Sequence, residues 1–242
     1  MSNARQTQTF IGAIVLAAAA SATYAGVLSH ELHPYYGLAV LALAAATSRM
    51  KAKLPGIDGN MSVNLPFLLT AAVSLSAVET VVIAAVCTVV QCWPKREAKF
   101  NPEQLLFNIS MMSLASSMAS RVFHSAWLQS AGSTSAVAGL ILATATLFLG
   151  QTAPVATVIG LSEGKSIAST WWKLAQLSFP YYVLSAGVTS LMQSVSHHIG
   201  WEAALAVFPV MYGIHRSYRL YFAGMARAAE TTQLAKVASV GR

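Results

Sequence analysis

Residues 61–93 read MSVNLPFLLTAAVSLSAVETVVIAAVCTVVQCW, with Glu79 as the only charge. As one helix this stretch would be about 50 Å long, well past the roughly 30 Å hydrocarbon core of a bilayer. Ser76-Ala77-Val78-Glu79 divides it. The pattern is a capping box: the Ser hydroxyl accepts from the backbone of the residue three further on, whose carboxylate reaches back to the Ser backbone. The run is therefore two apolar helices joined by a turn.

The rest of the chain has the same character. Charged residues make up 10% of the 242, where a soluble domain carries about 25%. Hydrophobic residues make up 55% and the mean hydropathy is +0.57. The fold class implied is all-α, an integral membrane bundle of about eight transmembrane helices. The net charge of +7 does not point to nucleic acid, because the basic residues punctuate apolar segments and form no continuous face. Their partners are lipid headgroups and the membrane potential. Cys87 and Cys92 lie near one end of an apolar helix and read as packed thiols.

The expected spans are 9–28, 34–50, 61–75, 76–93, 102–128, 133–161, 172–195 and 201–222, with 223–242 as a short basic cytoplasmic tail. The third, about 22 Å long, reads as a short crossing, a half-helix or a re-entrant element shielded by protein. Basic residues fall in alternate loops. Arg5 precedes the first span; Arg49, Lys51 and Lys53 follow the second; Lys95, Arg96 and Lys99 follow the fourth; Lys165 and Lys173 mark the next inner loop; and Arg216, Arg219, Arg227, Lys236 and Arg242 close the chain. Of the 15 basic residues only Arg121 lies elsewhere. The positive-inside rule then places both termini of a multi-pass membrane protein in the cytoplasm. Trp127, Trp201, Tyr35 and Tyr36 mark the outer interface, and Trp93, Trp171, Trp172, Tyr218 and Tyr221 the inner one. The first span follows Arg5 and has small residues near Ala25, as a signal peptide would, but its apolar run is long for one and reads as a retained helix.

Two short motifs evoke enzymes. Gly160-Leu161-Ser162-Glu163-Gly164 matches G-x-S-x-G, and Gly164-Lys165-Ser166 ends like a phosphate loop. Both motifs need a preceding strand, and the first also needs an acid and a histidine nearby. Here a membrane helix precedes them and no aspartate follows Asp58. They read as a helix-ending loop, and no enzymatic activity or cofactor is specified.

Polar residues inside the apolar segments are the candidate sites. Ser110, Ser113, Ser117, Arg121 and His124 share one face of the fifth helix. Arg121 lies about 28 Å beyond Pro102, at the outer boundary. It pairs with Glu79, reaches headgroups, or binds an anionic ligand together with Ser113 and Ser117. The serines alternatively permit close helix packing. His30, His33, His124, His197 and His198 map to the outer side, with Glu31 and Glu202 nearby. They are wet polar caps, or a layer that binds metal or protons. Pro66, Pro154, Pro180 and Pro209 interrupt the third, sixth, seventh and eighth helices, and Phe179-Pro180-Tyr181-Tyr182 sets aromatics beside one kink. A cavity lined by Tyr181 and Tyr182 would follow, as would the ordinary packing of bent helices.

A series of phrases runs in order along the chain: Leu54-Pro55-Gly56 with Gly59 and Ser62; Leu75-Ser76 with Glu79; Val90-Gln91; Leu106-Phe107-Asn108; Leu161-Ser162-Glu163-Gly164-Lys165-Ser166; Phe179-Pro180-Tyr181-Tyr182; and Arg216-Ser217-Tyr218-Arg219-Leu220-Tyr221. Their order and spacing resemble the eight-helix MASE-type membrane-associated sensor domains of bacteria, from about Tyr35 to Tyr221. The resemblance implies a sensor upstream of HD-GYP or GGDEF domains of cyclic di-GMP signalling. Residues 223–242 contain no HD pair and no GGDEF run. The expectation is thus a sensor-like regulatory module that binds a small ligand or senses membrane state. It would signal to a separate cytoplasmic partner through Arg216, Tyr218, Arg219 and Tyr221, as a monomer or a homo-oligomer. A second reading is the membrane subunit of a vitamin-type transporter, to which the broken helices are similar and which needs an external ATPase. A third is a structural subunit of a membrane complex.

Overall fold

The computed structural model describes residues 2–28, 32–53, 60–93, 101–129 and 135–199, with isolated helical positions between 209 and 231. Side chains at 2, 28, 51–53, 60–62, 127, 129 and 196–199 fall outside the description. The elements are α1 (Ser2–Leu28), α2 (Pro34–Ser48), β1 (Lys51–Lys53), β2 (Asn60–Ser62), α3 (Leu65–Ser74), α4 (Ala77–Cys92), α5 (Pro102–Phe123), α6 (Ala126–Gln129), α7 (Ser135–Glu163) and α8 (Ile167–Ile199). The all-helical architecture is as expected, apart from one small ribbon.

That ribbon is the first correction. The segment between the second and third expected spans, which holds Leu54-Pro55-Gly56 and Gly59, is flanked by two antiparallel three-residue strands, with Lys51 opposite Ser62 and Lys53 opposite Asn60. The second correction concerns the helix ends. The fifth helix stops at Phe123, and α6 is a separate turn. There the Ser125 hydroxyl donates to the Val122 carbonyl at 2.7 Å and the His124 imidazole lies against the Ser120 carbonyl at 2.9 Å, so side chains take up backbone groups and end the ladder. The helix begun near 172 instead starts at Ile167 and is 33 residues long. Pro66 does not interrupt α3: it lies in the first turn, where a missing N–H costs nothing.

The G-x-S-x-G segment is a helix stop. Gly164 has φ +66°, and the Lys165 N–H donates to the Gly160 carbonyl at 3.0 Å, the long bond of a Schellman motif. A Cβ on Gly160 would lie 2.6 Å from Ile167 Cγ1, so the chain reverses tightly into α8. Ser162 donates only to the Ile159 carbonyl behind it.

Cross-helix contacts give each helix a direction. Asn64 at the start of α3 bonds Ser48 at the end of α2, while Glu79 at the start of α4 bonds the His33 N–H at the start of α2. Asn108 near the start of α5 meets Cys92 at the end of α4. Ser117 and Arg121 near the end of α5 meet Ser21 near the end of α1. A Cβ on Gly139 would touch Phe123, and one on Gly150 would touch Ala115, so α7 runs against α5. Trp171 bonds Thr152, reversing α8 against α7. Helices α1, α3, α5 and α8 therefore point one way, and α2, α4 and α7 the other.

By length and composition, α1 and α7 are each long and apolar enough to cross a membrane; α2, α3 and α4 are apolar but shorter, at 15, 10 and 16 residues. The outward surface carries Leu16, Val27, Leu38, Val137, Ile141, Val183 and Leu191, while Ser116, Ser117, Thr80, Thr88, Ser185 and Thr189 lie buried. Many inward hydroxyls donate to the carbonyl one turn back, as Thr88 does to Ala84 and Ser185 to Tyr181, both at 2.7 Å. Polar groups inside and apolar groups outside is the arrangement that a lipid solvent demands.

The α5–α7 crossing depends on a missing side chain. A Cβ on Gly150 would sit 2.8 Å from Ala115 Cβ and 3.2 Å from its Cα. Gly150→Val is expected to lower stability by about 1–3 kcal/mol, read as a reduced thermal midpoint in detergent. Gly12→Val, in open space, should leave the midpoint nearly unchanged.

Candidate functional site

Helix α3 is the centre of the bundle. Every residue from Leu65 to Val73 is buried, with Phe67, Leu68 and Leu69 fully enclosed. One core cluster joins its Phe67, Leu68 and Ala71 to α2, α4 and α8, and a second joins Leu65, Leu69 and Ala72 to α5, α7 and α8. At ten residues it is about 15 Å long. Its first turn and most of its last turn, to Val73, lie inside protein, where lipid and bulk water cannot satisfy their backbone groups.

Neighbouring backbone and side-chain groups bond the segment instead. At the N-terminal end the Leu65 N–H donates to the Tyr181 hydroxyl at 3.3 Å, Pro66 carries no N–H, and the Phe67 and Leu68 N–H groups return to the Asn64 carbonyl. Asn64 Nδ2 in turn donates to Ser48 Oγ at 2.9 Å. The Pro66 carbonyl accepts from Thr189 on α8 at 3.1 Å and from Thr70 at 2.8 Å. At the other end the Ala71 carbonyl accepts from Thr80 on α4 at 2.8 Å. Thr70 also approaches Met192 Sδ at 3.4 Å. Helices α2 and α4 thus each hold the α3 segment through one of these hydrogen bonds, and α8 through three.

Glu79 belongs to the same frame. Its Oε2 accepts from the Ser76 N–H at 3.0 Å and the Ser76 hydroxyl at 2.7 Å, and its Oε1 accepts from the His33 N–H at 2.7 Å. The capping box is present as expected. The carboxylate also ties the α3–α4 elbow to the first turn of α2, where a Cβ on Gly37 would come within 3.3 Å of Oε1. Glu79 is thus engaged with backbone and is not the partner of Arg121. Arg121 reaches α1: its Nη2 donates to the Ser21 carbonyl at 3.2 Å, and its guanidinium lies 4.4 Å from the centroid of the Tyr24 ring.

The other candidates separate in the same way. Ser113 and Ser117 are buried, and Ser117 bonds Ser21 across the α1–α5 contact at 2.8 Å. Tyr181 and Tyr182 are buried in the second core cluster, with the Tyr182 hydroxyl donating to Gln151 Oε1 at 2.6 Å. Gln151 Nε2 and Ser116 Oγ are buried atoms with no hydrogen-bond partner. His124 packs edge-on against Phe123. Among the described residues no three His, Cys, Asp or Glu side chains converge on a metal-sized site. His30 and the side chains of His197 and His198 lie outside the description, as do Tyr218 and Arg219. Arg216 and Tyr221 are exposed helical positions.

A protein-family model, MASE9, matches residues 36–221. The chain belongs to the MASE9 family. The match covers nearly the range over which the phrases resemble MASE-type domains, and MASE families are membrane-associated sensor domains. No curated protein and no solved structure matches the chain. In this MASE9 domain, sequence reading singled out Glu79, Tyr181 and Tyr182 but missed Ser48, Asn64, Thr80, Thr189, Gln151, Ser21 and Tyr24. Asn64, just before the Leu65-Pro66 helix start, stands where a capping residue would, but its side chain makes no cap bond and reaches Ser48 instead. The single hydroxyls on α4 and α8 looked like any other small polar residue in a membrane helix.

Tyr181→Phe removes the acceptor of a buried N–H and should cost about 1 kcal/mol, seen as a lower thermal midpoint in detergent. Glu79→Gln should cost a similar amount, because one amide oxygen replaces two carboxylate acceptors. Glu79→Ala should cost more, about 2 kcal/mol. Equal midpoints for Glu79→Gln and Glu79→Ala would rule out the bridging role.

Proposed function

We propose that the protein is the input module of a bacterial inner-membrane signalling system. It binds a small ligand or responds to membrane state, and it passes the change to a separate cytoplasmic enzyme of the cyclic di-GMP kind. The observation that carries this reading is the MASE9 match over residues 36–221. The moving part would be α3. It is anchored to three other helices by individual hydrogen bonds rather than by a continuous backbone ladder. A shift of α8 relative to α2 and α4 would exchange these bonds one at a time, the property of an element with two arrangements of similar energy. Helix α8 leads into residues 201–222, so its displacement would reach Arg216, Tyr218, Arg219 and Tyr221.

In this reading the chain crosses the bilayer eight times, with both termini in the cytoplasm. The alternating directions of α1, α2, α3, α4, α5, α7 and α8 support it, with residues 201–222 as the last crossing. So do the Asn64–Ser48 bond, which sets the start of α3 beside the end of α2, and the Glu79–His33 bond, which sets the start of α4 beside the start of α2. In a variant with both native cysteines replaced, a membrane-impermeant thiol reagent should label Leu32→Cys in intact cells and leave Ser166→Cys unlabelled until the cells are opened. The opposite pattern would reverse the topology.

The signalling role is tested by purification from native membranes in mild detergent, with mass spectrometry of the retained proteins. A cytoplasmic cyclic di-GMP enzyme should be recovered and should be lost on Arg216→Glu with Arg219→Glu. Recovery of an ATPase pair instead would replace the sensor reading with transport.

A further inference from the structure

We propose that Arg121 and Tyr24 form a seat for the phosphodiester of a membrane phospholipid, on the side of the bundle opposite the basic loops. The inference rests on the membrane placement of the family and is independent of the signalling role.

Position comes first. Arg121 lies about 28 Å along α5 from Pro102, and Tyr24 lies about 28 Å along α1 from Arg5. The two helices run in the same direction and meet at this level through Ser21, Ser117 and Arg121. Both residues are therefore about one hydrocarbon thickness away from the basic ends of their helices, at headgroup depth. Arg121 is the cation that breaks the inner-side bias of the other basic residues.

Arg121 is an exposed residue whose guanidinium is held through Nη2. Nη2 contacts the Ser21 carbonyl at 3.2 Å and the Ser21 hydroxyl at 3.4 Å, and the Tyr24 ring lies 4.4 Å from the guanidinium carbon. These contacts orient the planar group while leaving its net charge in place. No carboxylate of the described residues lies within salt-bridge distance, and Glu79 is occupied by backbone donors. An oriented, uncompensated guanidinium at headgroup depth suits a phosphate, whose oxygens its remaining N–H groups can take in pairs.

The surface beneath the seat selects a lipid over a free anion. Met118, one turn back on α5, and Ala20 and Leu16, one and two turns back from Tyr24 on α1, are all exposed. They form an apolar track running from the cation toward the bilayer centre. An acyl chain attached to the phosphate would lie on that track, whereas inorganic phosphate would leave it bare. Tyr24, more than half exposed, presents a ring and a hydroxyl at the boundary where such side chains favour the interface.

The full chain, purified in detergent, would be titrated with phosphatidylglycerol, with diacylglycerol of the same chains, and with inorganic phosphate, bound species being read by native mass spectrometry. Phosphatidylglycerol should bind the wild type, and Arg121→Gln should weaken it by about tenfold. Tyr24→Leu, which leaves the cation in place, should weaken it by about threefold. Diacylglycerol should bind far more weakly, and millimolar inorganic phosphate should not displace the lipid. Wild-type affinity in a folded Arg121→Gln variant would overturn the proposal, as would wild-type affinity in Tyr24→Leu should the arginine variant not fold. Equal binding of diacylglycerol would remove the phosphate from the interaction. Displacement by inorganic phosphate would make the seat an anion site with no lipid specificity.

Discussion

A ten-residue helix buried on every side must have its backbone ends satisfied within the protein. Much of the architecture follows from that constraint on α3. A helix leaves several donors unpaired at its start and several acceptors at its end. When water is excluded each such group costs free energy unless a neighbour bonds it. At the start of α3 the Tyr181 hydroxyl accepts from the Leu65 N–H and the Asn64 carbonyl from those of Phe67 and Leu68, while Thr189 and Thr80 add hydroxyl bonds to the Pro66 and Ala71 carbonyls. The positions of α2, α4 and α8 are thereby coupled to one short segment at the centre.

The same economy runs through the bundle. Most inward hydroxyls, such as those of Thr88, Thr144 and Ser185, bond the carbonyl of the turn behind and so add polarity that is satisfied locally; Ser116 is an exception. Small residues let backbones meet: Gly150 allows α5 to contact α7, and Gly160 allows α8 to fold back on α7. In lipid no hydrophobic force drives helices together, so close packing and such bonds carry the association. Glu79 follows the same logic. A carboxylate in an apolar run is costly, and it is held by the N–H groups and hydroxyl of two turns.

Two kinds of polar site are thus present and should not be confused. The α3 frame is internal, made of hydroxyl, amide and backbone groups with one carboxylate, Glu79, at its elbow. The Arg121–Tyr24 seat is external and charged, fixed to α1 and α5 at the membrane boundary. The first concerns how the bundle changes, and the second concerns what it touches.

The class of the protein, its apolar helices and their punctuation were legible along the chain because lipid imposes a one-dimensional rule: long runs without charge, with basic residues between them. The Ser76–Glu79 capping box and the Asn101-Pro102 start are local bonds, and local bonds leave signatures at fixed spacing. The resemblance to MASE-type domains was legible for a related reason, since phrases keep their order; the family-model match narrowed it to MASE9. The 51–62 ribbon was not, because three-residue strands have no period to read. Nor was the break at His124, which depends on side chains competing for backbone groups. Above all, the sequence placed Glu79, Arg121, Ser117 and Tyr181 in the membrane but could not assign their partners. Glu79 with His33, Arg121 with Ser21, and Tyr181 with Leu65 are separated by tens of residues or more than a hundred. Such pairs exist only once the helices are packed, so the tertiary structure alone decided that Glu79 is a brace and Arg121 an outward-facing cation.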